Sequence, residues 1–152
     1  MIQTIDHIGI AVRSLEERVP FYRDVLGLGE PEIETVTDQR VRTAVFRTPG
    51  NSGVTSATSQ TTSVPAGRIE LLEPTDDESP IARFLEKNGE GIHHIALGVD
   101  NVAAEITTVS EAGLRMIDET PRSGVGGTEI AFVHPKSTGG VLMEFCSHGN
   151  EE

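Results

Sequence analysis

Apolar residues alternate with small or polar ones at Ile8, Ile10 and Val12, and the same two-residue period returns at Ile95, Leu97 and Val99. Such alternation predicts a strand with one face toward a core. A helical stretch follows each strand. Ser14, with Glu17 three residues on, forms a capping box before Leu15 to Leu26, and Asp100 or Asn101 can cap Val102 to Ala112. Both stretches stop at Gly-Leu, Gly27-Leu28 and Gly113-Leu114.

The two strands are copies of one pattern. His7-Ile8-Gly9-Ile10-Ala11-Val12 and His94-Ile95-Ala96-Leu97-Gly98-Val99 lie at an interval of 87 residues (7 to 94). Phe46 and Phe132, each two residues before Thr48-Pro49 or His134-Pro135, continue the match at an interval of 86 (46 to 132), and Glu70 and Glu144 close it at 74 (70 to 144). The shortening locates a surplus in the first half, at Asn51 to Gly67, where Ser, Thr, Gly and small residues dominate. That segment is expected to be a mobile surface loop without chemistry. Between the halves, Ser79 as N-cap, Pro80 at the first helical position, Ile81, Phe84 and Leu85 on one face and Gly89 as terminator predict a linker helix. The expected fold is a single α+β domain of two βαβββ modules forming a cupped mixed sheet, with module 1 at about 4–74, the linker helix at about 79–89 and module 2 at about 91–147.

Strand parity places His7, Gly9 and Ala11 on one face of the first copy and His94, Ala96 and Gly98 on the matching face of the second. Small neighbours leave room beside each imidazole. By the same parity His93 points away from His94, and His148 falls in a frayed tail. The last strand of each half carries a glutamate inside an apolar run, Glu70 in Arg68-Ile69-Glu70-Leu71-Leu72 and Glu144 in Val141-Leu142-Met143-Glu144-Phe145. A buried carboxylate without a partner is costly. Glu73 reads as a strand-end surface charge. Taken singly, a His or Glu on a strand is a surface or hydrogen-bonded residue. Four at matched places of a repeat, all facing one side, point to a divalent metal held by His7, Glu70, His94 and Glu144. Imidazole and carboxylate donors without thiolate suit Co, Mn, Ni, Fe or Mg better than a structural zinc.

Composition narrows the partners. A formal charge of −12 with only Lys87 and Lys136 as lysines argues against nucleic acid and anionic membranes. The single cysteine, Cys146, excludes an intrachain disulfide and a Cys-rich metal site. No leader and no apolar run of membrane-spanning length is visible, so a cytoplasmic protein is expected.

Asp76-Asp77-Glu78-Ser79-Pro80-Ile81-Ala82-Arg83-Phe84-Leu85-Glu86-Lys87-Asn88-Gly89, Gly91-Ile92-His93-His94-Ile95, His134-Pro135-Lys136 and Gly140-Val141-Leu142-Met143-Glu144 resemble the methylmalonyl-CoA epimerases. The resemblance runs from Ile5 to about Cys146, and Asp6-His7 with the repeat resembles the wider vicinal-oxygen-chelate superfamily, of glyoxalase/bleomycin-resistance-like fold. It implies the metal ligands His7, Glu70, His94 and Glu144. It also implies epimerisation of methylmalonyl-CoA at C2, with the metal stabilising an enolate and Glu144 both binding it and moving the proton. Cobalt is the first expectation, ahead of Mn, Ni, Mg, Fe or Zn; the implied partners are an acyl-CoA substrate and a second copy in a homodimer. One departure concerns a second base that some relatives carry: the matching residue here is Thr43, which cannot abstract a proton at neutral pH. Glu70 becomes the candidate second acid/base. Pro121 to Gly127 resembles the family's Gly-rich turn; a hairpin with solvated cations is its simpler reading, with Arg122 and Lys136 as alternative contacts for CoA phosphates. A glyoxalase-like isomerase sharing the ligand set and a non-enzymatic ligand-binding cup are the rival functions. A catechol dioxygenase is disfavoured, because Tyr22, the only tyrosine, falls in the first helix.

Overall fold

The computed structural model describes residues 1–49, 51–54, 61–64 and 66–149. The first alternating segment becomes β1 (Ile2–Ala11), and Ser14 caps the following helix α1 (Leu15–Pro20) by accepting from the Glu17 N–H at 3.3 Å. The helix does not run unbroken to Leu26. Pro20 has no N–H to donate, and beyond it the bonding widens into a π-type turn over Phe21–Val25, where the Leu26 N–H donates to the Phe21 carbonyl. The first half continues with β2 (Glu32–Val36), β3 (Val41–Arg47), β4 (Asn51–Val54), β5 (Thr61–Val64) and β6 (Arg68–Pro74). The linker helix α2 (Pro80–Asn88) leads into β7 (Gly91–Val99), α3 (Val102–Glu111), β8 (Arg122–Ser123), β9 (Glu129–Val133) and β10 (Met143–Ser147).

Among the described residues, eight strands form one sheet in the order β2-β3-β6-β1-β7-β10-β9-β8. Both halves use the same order, read outward from the centre. β1 lies parallel to β6 and β7 parallel to β10, while the central pair β1–β7 is antiparallel, so an approximate twofold relates the halves. The duplicated βαβββ plan is therefore observed, with α2 lying between the two copies. The segment from Asn51 to Gly67 differs. Its described flanks pair as an antiparallel ribbon, Asn51 opposite Val64 and Val54 opposite Thr61, while residues 55–60 and 65 lie outside the described residues. A Ser/Thr-rich segment has little apolar alternation to announce a strand.

Helices α1 and α3 cover the convex face. Leu15 packs with Val12, Ala44, Phe46 and Leu71, and Val102 and Ile106 pack with Val99, Ala131, Val133 and Phe145. On the concave side, α2 lays Ile81 and Leu85 against Ala11, Val41 and Leu72 and closes one end of the cup. Its start is fixed by Ser79, fully buried, whose hydroxyl accepts from the Ile81 N–H at 3.2 Å. Glu73 is more than a surface charge, because its carboxylate accepts from the Leu15 N–H at 2.6 Å and anchors the first turn of α1.

Replacing Ser79 by Ala should cost about 1 kcal/mol of unfolding free energy, the usual worth of an N-cap hydroxyl. Urea denaturation checks this; an unchanged midpoint would mean that packing alone sets the start of α2.

Candidate metal centre

The central β1–β7 pairing sets Gly9 directly opposite His94. A Cβ at position 9 would overlap the His94 imidazole, so glycine is what admits the ring. His7 rises from β1 two residues away, and the two rings meet edge to face with centroids 5.1 Å apart and Nε2 atoms 3.0 Å apart. Glu70 on β6 and Glu144 on β10 enter from the strands flanking this pair. Glu70 Oε2 lies 3.4 Å from His7 Nε2; the two oxygens of Glu144 lie 3.6 Å from His7 Nε2 and from His94 Nε2. All four side chains are buried.

The donor set passes a physical test for a divalent cation. Buried ring nitrogens and carboxylates of His7, His94 and Glu144 come together with ligand atoms within 4.8 Å of one another, and Glu70 stands beside His7 as the looser fourth member. Without a cation, two buried carboxylates and two imidazoles share one desolvated space. Burial pushes Glu144 up to about 8, opposed by His7 and reinforced by Glu70 and Asp6. Glu70 is raised by the same burial. Burial also disfavours the charged form of His7, yet the Asp6 hydrogen bond together with Glu70 and Glu144 leaves its pKa raised. His94 is held well below the usual histidine value by burial, with His7 and His93 adding to it.

Parity failed for the neighbours of the two histidines. Asp6 and His93 are each the extra residue of a β-bulge: β1 pairs Ile5 with Leu97 and His7 with Ala96, skipping Asp6, and β7 pairs His94 with Gly9 and Ile92 with Ile10, skipping His93. Asp6 Oδ2 thereby reaches His7 Nδ1 at 2.7 Å, and His93 Nδ1 lies 3.0 Å from His94 Nδ1 instead of facing away. Burial would raise Asp6, but hydrogen bonds from His7 and His148 hold it down at about 2. His148, expected in a frayed tail, is tied back with its Nε2 2.6 Å from Asp6 Oδ1 and 2.7 Å from Arg68 Nη1. That contact joins the two ends of the chain, and no local pattern announces it.

The cluster lies in a cavity of about 450 Å³. Its walls include Glu34, Val45 and Arg47 from the first half and Arg122, Val125 and Phe132 from the second. Arg122 sits over the Phe132 ring, 5.3 Å from its centroid, and pairs with Asp118 at 3.2 Å. The Gly-rich turn closes onto the first half, since the Gly126 N–H donates to Glu34 Oε2 at 2.9 Å. Lys136 lies in the short turn Pro135–Ser137 and does not line the cavity. Thr43 is fully buried, and its hydroxyl donates to the Glu34 carbonyl at 3.4 Å. Tyr22 packs on Phe46, outside the cavity. Cys146 is a buried free thiol, and among the described residues no helix is long and apolar enough to cross a membrane.

Comparison with known proteins gives consistent relationships. Residues 6–132 match the model of the glyoxalase/bleomycin resistance protein/dioxygenase superfamily. An ethylmalonyl-CoA/methylmalonyl-CoA epimerase of Cereibacter sphaeroides is 38% identical, over 95% of this chain and 97% of its own. The uncharacterized protein YqjC of Bacillus subtilis is 40% identical, over 93% of this chain and 90% of its own. A solved methylmalonyl-CoA epimerase in complex with methylmalonyl-CoA and NH4+ superposes with a TM-score of 0.85 at 37% identity, covering 100% of this chain and 99% of that one.

At pH 7 the metal-free site holds a proton on Glu144, so cobalt uptake should release protons, and apparent affinity should rise with pH up to about 8. An indicator dye in weakly buffered solution measures the release. Uptake without proton release would contradict this electrostatic picture.

Proposed function

Because the chain belongs to the glyoxalase/bleomycin resistance protein/dioxygenase superfamily and, within it, to the methylmalonyl-CoA epimerase family, we propose that it epimerises methylmalonyl-CoA at C2. The observation that carries this reading is the convergence of His7, His94 and Glu144, with Glu70 alongside, in a cavity of about 450 Å³. These four residues would hold a divalent cation, cobalt first, which supplies Lewis acidity toward substrate oxygens.

The chain's own groups account for the proton movements. Glu144, which a bound dication would hold ionised against the effect of burial, is suited to take the C2 proton and return it. Inversion needs a second carrier on the opposite face. Glu70 occupies the repeat-equivalent place on β6, on the other side of the β1–β7 pair, and is the reading's second acid/base. Thr43 takes no part, since its hydroxyl is buried and engaged with backbone. The Gly-rich turn, held to Glu34 by the Gly126 N–H, contributes Val125 and Gly126 to the cavity wall. A homodimer completes the reading, covering exposed apolar residues such as Ile5 and Ile92; sedimentation as a monomer at micromolar concentration would count against it.

The test follows the C2 proton of methylmalonyl-CoA in deuterated buffer. The cobalt-loaded protein should exchange and invert, chelation should abolish both, and Co or Mn should restore them better than Ca. Glu144→Gln should lose roughly 10²–10⁴-fold in rate, the usual worth of a general acid–base. Glu70→Gln should still exchange one epimer while inverting it slowly. Undiminished inversion by metal-loaded Glu70→Gln removes Glu70 from the mechanism, and turnover of a hemithioacetal in place of the CoA ester favours the glyoxalase-like alternative.

A further inference from the structure

Asp6 and His93 stand at equivalent places in the two halves, 87 residues apart (6 to 93), each immediately before a histidine of the cluster. In a regular strand neither would touch that histidine, because consecutive side chains leave opposite faces. Both halves break regularity at the same point. The bulges at Asp6 and at His93 bring each side chain onto the ring that follows it, at 2.7 Å for Asp6 Oδ2 to His7 Nδ1 and 3.0 Å for His93 Nδ1 to His94 Nδ1. The Nε2 atoms of His7 and His94 face each other across 3.0 Å in the centre of the site.

An imidazole that offers its Nε2 lone pair to a cation carries its proton on Nδ1 and needs an acceptor there. Asp6 is that acceptor for His7. We propose that His93 is the corresponding positioning residue for His94, its Nδ1 lone pair accepting the His94 Nδ1–H and so fixing the tautomer and plane of the ring. The proposal rests on the metal reading above and adds a residue to it. His93 is itself steadied by α2, since its ring stands edge to face with Phe84 at 5.1 Å between centroids and 80° between planes. The linker helix thus reaches the centre through one aromatic contact. One partner is a carboxylate and the other a neutral ring, so the two ligands are unequal. His7 is the stronger donor, and His94 the more easily exchanged.

Two measurements test this. In metal-free wild type labelled with ¹⁵N at histidine, long-range proton–nitrogen correlation should show His94 with its proton on Nδ1 and His93 with its proton on Nε2. The opposite tautomer at His94 overturns the proposal. In His93→Phe, which keeps a ring against Phe84 but offers no acceptor, cobalt affinity should fall roughly 10–100-fold, the usual effect of removing such a partner. His94 should then become a tautomer mixture, and His93→Asn, whose amide oxygen can accept, should recover part of the affinity. Wild-type affinity and an unchanged His94 tautomer in His93→Phe overturn the proposal. Wild type that takes up no cobalt overturns the metal reading instead, and the tautomer spectrum still decides the hydrogen bond.

Discussion

The antiparallel pairing of β1 with β7 is the contact on which the rest depends. It is the seam between the two halves, and it places Gly9 under the His94 ring with His7 beside it. The parallel partners β6 and β10 then deliver Glu70 and Glu144 from either side. A slip of one residue at this seam would turn the donors of one half to the convex face, away from those of the other. The same apolar alternation that buries Val12 and Val99 therefore holds the site in register.

Holding four such groups together out of water is unfavourable unless something neutralises them. Burial disfavours the ionised form of both carboxylates, Glu70 adds to it at Glu144, and the raised values of the two are the mark of that cost. A divalent cation resolves it, and the partners behind the histidines prepare for it by directing both Nε2 atoms inward. Bulges are the device that makes this arrangement possible on a sheet. They cost two ladder positions and return two ring-orienting contacts.

Much of this was legible in the chain. The 87-residue interval exposed the duplication; alternation with Ile, Leu and Val put His7 and His94 on matching faces, the repeat matched Glu70 with Glu144, and the structure brings the four together. Parity misled at His93, since a bulge adds a residue without altering the apolar pattern around it. The sequences of β4 and β5 show no apolar alternation, and the tie from His148 to Asp6 spans 142 positions, so neither has a local signature. The π-type turn had one in Pro20, which removes a donor from the helix it sits in. The acidic composition bears on partners and not on chemistry, which lies at the seam.

The central claim is that the seam builds one metal centre from both halves. X-ray absorption at the cobalt edge of the stoichiometrically loaded protein tests it most directly. One ion per chain with two imidazoles among oxygen donors is the predicted environment. A single imidazole would show that the halves do not share the ion, and three would make His93 a ligand; either result would contradict the account.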